Sequence, residues 1–311
     1  VFESITLTVS SSFMEIIETM KDDFIPYLPN YLAVFFELAA NPNIQNIPIK
    51  DLPEDQKLSA IVNNGIAIVM SPSDRNNIYM MLQSFNSIIR IFHDFCRNED
   101  YFNVIIKIIN QYINFLYDDE IQSSAIELLI QFLDIYIKDP EIDIVLLQAN
   151  SIQKAISNTV EIINLSLFSS VILEIAKSPR PEHEQYIESL FTLIFTNFCA
   201  ALQANNDEGR YFDGDESDNI CTMVDNLCNT FKAILCSDVH CASRVFYEIT
   251  KIVPYFKLPN LNIEVQKFIS SVWVYFLSFG APEDFPEDQP DLLNDLFEFY
   301  HSIDDISIKE N

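Results

Sequence analysis

Only four of the 311 residues are glycine, at positions 65, 209, 214 and 280, against an ordinary share of about 7%. Dinucleotide-binding sheets, phosphate loops and β-barrels need glycine for tight turns and for close approach of the backbone to a ligand. None of the patterns GxGxxG, GxxxxGK(S/T) or GxSxG occurs in the chain. Helices joined by short polar or proline-containing turns need few glycines. The scarcity therefore predicts an all-α fold.

The apolar residues say where those helices lie. Between Tyr101 and Tyr117, Val104, Ile105, Ile108, Ile109, Tyr112, Ile113 and Leu116 fall on one helical stripe, with Lys107, Asn110, Gln111 and Asn114 opposite. The pattern restarts at Ile121 and continues through Ala125, Leu128, Leu129, Phe132, Leu133 and Tyr136. Tyr117-Asp118-Asp119 is so short a link that the two helices must be antiparallel. Ser71-Pro72-Ser73-Asp74 joins a capping serine, a proline at the first helical position and an acid three residues after the cap. It predicts a helix carrying Ile78, Met81, Leu82, Phe85, Ile88, Ile89, Phe92 and Phe95. Asp51-Leu52-Pro53-Glu54 predicts another, running to about Met70. Asp139-Pro140, Ser178-Pro179-Arg180-Pro181 and Leu258-Pro259-Asn260 read as helix boundaries.

The pattern repeats as roughly a dozen helices paired at a period of about 40 to 50 residues, that of HEAT or armadillo-type hairpins. A compact bundle would bury some helices all round. Most segments here keep a polar face, which suits a two-layer solenoid. The expectation is a single α-solenoid over 1–311, a right-handed superhelix of about six antiparallel helix pairs. Its radius of gyration by solution scattering should exceed the compact-globule value of about 2.2·N^0.38 Å, roughly 19 Å for this length; a measured value of that size would contradict the solenoid. Strand content is expected near zero, with Ile5 to Val9 the only candidate. Asn41 to Lys50, with two prolines, reads as a linker.

Lys and Arg number 18 against 46 Asp and Glu, giving a formal net charge of −28. That balance argues against direct nucleic-acid binding and against an anionic membrane surface, and points to partners with basic faces. No run of about 18 uncharged apolar residues reads as a membrane span. The start, Val1-Phe2-Glu3-Ser4, has neither the basic region nor the apolar run of a signal peptide. It also lacks an initiator Met, so the chain is read as a fragment of a longer protein. Six scattered cysteines then imply free thiols in a reducing compartment.

The stretch 205–219 (NNDEGRYFDGDESDN) holds two of the four glycines and a cluster of acids. It reads as an exposed insertion between a helix ending near Ala204 and one starting near Ser217. Asp207, Glu208, Asp213, Asp215, Glu216 and Asp218 are the candidate contacts for a basic partner. Asp213, Asp215 and Ser217 have the spacing of a calcium loop, but Asp218 replaces the turn glycine and Val224 the bidentate Glu. Cys221, Cys228, Cys236 and Cys241 with His240 lack the paired spacing of a zinc site; buried thiols on an apolar stripe explain them better. His183-Glu184 opens like a metalloprotease motif, yet no second His follows four residues on. His93 and His301 stand outside any nucleophile pattern. Trp273, in Val272-Trp273-Val274-Tyr275-Phe276-Leu277, reads as core. No catalytic, cofactor-binding or metal-binding set emerges, and the chain is expected not to be an enzyme.

Several phrases resemble the β-karyopherins, the nuclear import and export receptors. In that family helices end in a phrase like Phe-x-Pro-Tyr-Leu-Pro; here it is Phe24-Ile25-Pro26-Tyr27-Leu28-Pro29. The segment from Glu54 to Val69 with internal Gly65, then Pro72, Arg75 and a long helix from Asn76, is similar to transportin-SR and importin-thirteen type receptors and to exportins. The run from Glu188 to Leu202, an acidic insertion and a helix with Val224-Asp225-Asn226-Leu227 looks like the C-terminal hairpins of the same group. The resemblance implies the C-terminal arch of such a receptor. It implies protein cargo with basic segments, the Ran GTPase (engaged by the full-length receptor) and nucleoporins as partners, no cofactor, and residence in cytoplasm and nucleus. A single Trp does not support the Trp/Asn arrays that hold basic peptides in some importins, and the N-terminal Ran-contacting hairpins are absent. A HEAT scaffold of another kind, a phosphatase, cohesin or trafficking subunit, is the alternative.

Overall fold

The computed structural model describes residues 15–40, 44–52, 61–63, 66–139, 141–209, 212, 214–237, 241, 244, 245 and 248. Nine helices are defined among them: α1 (Leu28–Ala40), α2 (Pro72–Ile91), α3 (His93–Cys96), α4 (Glu99–Ile113), α5 (Asp119–Tyr136), α6 (Ile144–Asn158), α7 (Ile162–Lys177), α8 (Glu184–Asp207) and α9 (Gly214–Leu235). The chain divides into two compact units, Val1–Ile135 and Tyr136–Asn311.

In the first unit α2 begins as its sequence predicts. Ser71 is the N-cap, Pro72 occupies the first helical turn, and the Ser71 hydroxyl accepts from the Asp74 N–H at 3.0 Å while donating to the Asp74 carboxylate at 2.6 Å. The helix stops one turn before Phe95. Phe92 leaves helical geometry (φ −120°, ψ 38°), and Phe95 belongs to the four-residue α3. The antiparallel pair α4 and α5 is joined at residues 114–118, as expected. Gln122 of α5 donates to the Ile113 carbonyl at 2.8 Å, closing the end of α4, which no intrahelical partner can satisfy.

Helices stack in two rows. Gln83 on α2 donates to Ser124 on α5 at 3.3 Å, so these two run side by side. In the other row, Tyr112 and Gln111 of α4 both donate to the Ala39 carbonyl at the end of α1. Tyr112 is fully buried, and burial pushes its phenol up to about 12. Between the rows Phe102 meets Phe132 at 5.0 Å and Phe36 stacks on Phe85 at 5.7 Å.

One region departs from the reading above. The described residues between 44 and 70 do not supply a linker and a helix. They contain three strands, β1 (Ile44–Pro48), β2 (Ile61–Asn63) and β3 (Ile66–Met70), in the antiparallel order β1-β3-β2. The helix expected from Asp51 to Met70 is corrected accordingly, as is the near-zero strand content. Ile66 to Met70 is a short apolar run, compatible with a buried strand as well as a helix; Ala67 and Ile68 are buried. The β2–β3 register pairs Asn63 with Ile66. Asn64 and Gly65 stand between them in sequence, and Asn-Gly is the dipeptide favoured in two-residue hairpin loops. The small sheet sits in an otherwise helical chain and leaves the all-α class intact. Ile5 to Val9, the Leu258-Pro259-Asn260 boundary and Trp273 lie outside the described residues.

The second unit, taken by itself, is also built of two rows. Asn197 of α8 donates to the carbonyls of Ile156 and Thr159 at 2.7 and 3.2 Å, and Gln153 of α6 donates to Ser189 of α8 at 3.1 Å, so α6 and α8 are parallel neighbours. In the other row Asn226 of α9 donates to the hydroxyls of Ser169 and Ser170 on α7 at 3.0 and 2.9 Å. These small serines let the α9 backbone approach closely. Helix α8 lies within a segment, Pro181–Asp207, that is long and apolar enough by composition to cross a membrane. Its Ile187, Leu190, Phe191, Ile194, Phe198 and Leu202 are instead buried in the core.

Candidate functional site

The acidic stretch is built by two helix ends. Helix α8 runs three residues beyond Ala204 and closes with Glu208 as its C-cap, followed by Gly209 at φ 66°. That left-handed conformation is the usual helix stop, and glycine adopts it without a Cβ penalty. Helix α9 starts at Gly214, earlier than the expected Ser217. The helices therefore take up much of 205–219, and only 208–213 lie between them. Phe212 is buried and pins this connection to the core.

Five of the six candidate acids can be placed; Asp213 lies outside the described residues. Asp207 is the last residue of α8, exposed, and accepts from the Gln203 amide at 2.7 Å. Glu208 is exposed at the cap. Asp215 and Glu216 occupy the first turn of α9, where the helix dipole favours negative charge. Asp218 is exposed one residue further on than the buried Ser217. Of these five acids, held at two helix termini, Asp207, Glu208, Asp215 and Asp218 are exposed and Glu216 is half-buried. Asp215 and Ser217 lie on different faces of the same turn, which is not the arrangement of a calcium loop. Among the described residues no three of His, Cys, Asp and Glu come together in a way that could hold a metal ion.

All six cysteines are unbridged. Cys96 and Cys241 are buried, and Cys221 and Cys228 are half-buried. Cys236 lies past the end of α9 and is exposed, a departure from its expected place on an apolar stripe. Burial pushes the Cys96 thiol up to about 12; burial, then the Asp225 charge, does the same for Cys228; burial first raises Cys241 to about 11. The thiolate is the nucleophile. With a maleimide at pH 8, Cys236 should therefore react first, and Cys96 and Cys228 only when the chain unfolds. Peptide mapping that finds Cys96 labelled in the native protein would contradict this.

The structure also brings together residues that the sequence reading did not pair. Arg75 binds the Asp118 carboxylate through Nε, and its Nη2 reaches Glu120 at 2.9 Å. Asp118 in turn accepts from the Ile121 N–H at 3.1 Å, capping α5. In the second unit Arg180 donates to the Asp139 carbonyl at 2.8 Å and the Ile137 carbonyl at 3.4 Å, and stands 3.8 Å from Asp143. Asp143 caps α6 through the Leu146 N–H at 3.0 Å and lies 3.0 Å from Nε2 of His183. His183 is only 1% exposed, and its Nδ1 has no hydrogen-bond partner among the described residues. The His183-Glu184 pair thus marks a structural joint. Arg244 binds Glu184 and Glu188, each at 2.6 Å. The signal for the first two ties was present: Arg75 precedes Asp118 by 43 residues and Arg180 follows Asp139 by 41, both within the repeat period.

Parallel rows of antiparallel helix pairs, joined at their ends by arginine, define a helical solenoid of HEAT-type hairpins. Solved structures agree. Over 98% of its length the chain is similar to Kap121p carrying three acid-to-lysine replacements (TM-score 0.70, 13% identity), Kap121p bound to Ste12p (0.67, 14%) and Kap121p bound to Nup53p (0.68, 13%). It spans 29–30% of the length of those chains. No family model and no curated protein sequence matches it.

Proposed function

We propose that the chain is a segment of a β-karyopherin-like nuclear transport receptor. The observation that carries this is the likeness to Kap121p along 98% of the chain at TM-scores of 0.67 to 0.70. Kap121p has been solved with Ste12p and with Nup53p; by analogy, this chain takes protein cargo and nucleoporins as partners, without catalysis. Stacked hairpins present an extended surface suited to extended partners. The net charge of −28 favours cargo with basic segments and disfavours nucleic acid and anionic membranes. The transportin-SR or importin-thirteen subtype, Ran-dependent exchange and shuttling between cytoplasm and nucleus belong to the same proposal. The test is capture of the full-length protein by Ran loaded with GTP or with GDP, in the presence of a basic cargo peptide. GTP-selective binding that changes cargo retention supports the reading. Equal capture by both forms, with cargo unaffected, would leave a HEAT scaffold of another kind.

A further inference from the structure

Two hydroxyl residues in the chain precede proline, Ser71 and Ser178, and the structure treats them differently. The Ser71 hydroxyl is committed in both directions to Asp74 at the start of α2. Ser178 lies in the connection between α7 and α8. Its backbone has left the helix (φ −139°, ψ 59°), and its N–H donates to the Ile175 carbonyl at 3.4 Å. Among the described residues its hydroxyl takes part in no hydrogen bond. Pro179 follows the end of α7, Pro181 opens the 3-10 turn Pro181–His183 that leads into α8, and Arg180 between the two prolines is extended (φ −113°, ψ 153°). Lys177, Pro181 and Glu182 are exposed around it. In a chain with 18 cations against 46 acids, the serine is flanked by Lys177 and Arg180.

We propose that Ser178 is a phosphorylation site for a proline-directed serine kinase. The kinase reads Lys-Ser-Pro-Arg, which leaves the helix at Ser178 and carries a hydroxyl with no hydrogen-bond partner among the described residues. The Ser178 oxygen attacks the γ-phosphorus of ATP, and the new O–P bond replaces the bond to the bridging β,γ-oxygen. ADP leaves with that electron pair, and the hydroxyl proton passes to the kinase base. The product carries a charge of about −1.5 to −2 at pH 7. At the C-terminal end of α7 this charge is repelled by the free helix carbonyls. Lys177 is already paired with Glu174, so Arg180 is the cation available to it, and arginine–phosphate pairs are strong and frequently bidentate. Arg180 then leaves the Ile137 and Asp139 carbonyls and Asp143. The modification loosens the joint before α6. This inference is independent of the transport reading.

The experiment treats the full chain with a purified proline-directed kinase, ATP and Mg²⁺, using a synthetic peptide of residues 173–184 as a parallel substrate, and maps the product by mass spectrometry. One phosphoryl group is expected on Ser178, lost in Ser178→Ala and retained in Ser71→Ala. Amide exchange over residues 137–143 should then be faster in the modified protein than in the untreated one. A folded chain that stays unmodified at Ser178 overturns the site, whether or not the peptide accepts phosphate, as does incorporation at Ser71 instead. Unchanged exchange over 137–143 in the modified protein overturns the release of Arg180.

Discussion

Replacing Phe132 with alanine should destabilise the protein by about 3–5 kcal/mol, the largest single effect expected in the helical core. Phe132 lies on the buried stripe of α5, is fully inaccessible, and has Phe102 of α4 at 5.0 Å between ring centres. Truncation removes the transfer free energy of a whole ring and leaves a cavity walled by helices that are tied to their neighbours and cannot collapse freely. The Phe102 ring also loses its aromatic partner. Denaturant unfolding followed by circular dichroism would measure the loss. Each hairpin touches mainly its neighbours, so amide exchange should accelerate first in α4 and α5. A loss below about 1 kcal/mol would mean that the interior between the two rows is loosely packed, against the close packing of protein cores.

Neutralising the acidic junction should act on association. With Asp207, Asp213, Asp215 and Asp218 changed to Asn and Glu208 and Glu216 to Gln, binding of a basic cargo peptide should slow by about tenfold or more at low salt, the scale of electrostatic steering. At about 150 mM salt the Debye length is roughly 8 Å, so the difference from wild type should shrink as salt rises. Dissociation should change less than association. Asp215 and Glu216 sit in the first turn of α9, so a small loss of thermal stability is expected, more than an unstructured loop would show. Stopped-flow association at two salt concentrations separates these effects. If the association rate is unchanged, the junction is a solvated turn that takes no part in binding the peptide.

How much of this could be read from the sequence follows the range of the forces involved. The Ser71-Pro72-Asp74 start of α2 and the tight link into α5 were legible because each is decided within four or five residues. The β2–β3 pair was misread because its apolar run is too short to show its period; Asn64-Gly65 was the available signal. At the acidic junction, clustered charge suggested a loop, but Asp215 and Glu216 are favourable in a helix's first turn and α9 absorbs them. The arginine ties left only a faint trace in the sequence, the repeat-period spacing of Arg75 from Asp118 and of Arg180 from Asp139. Arg75, Arg180 and Arg244 find partners about 40 to 60 residues away, and only the stacking of one hairpin on the next creates those pairs.

Asn197 satisfies the end of α6 from α8, two helices further along the chain, and Asn226 holds α7 from α9. A ribosome that has finished α6 and α7 has therefore made a hairpin that still lacks these two side-chain ties. That hairpin becomes complete only when the next one emerges. Folding during synthesis is thus expected to trail the exit site by one full hairpin, and a stop codon after Lys177 would leave a product without the amide ties from Asn197 and Asn226.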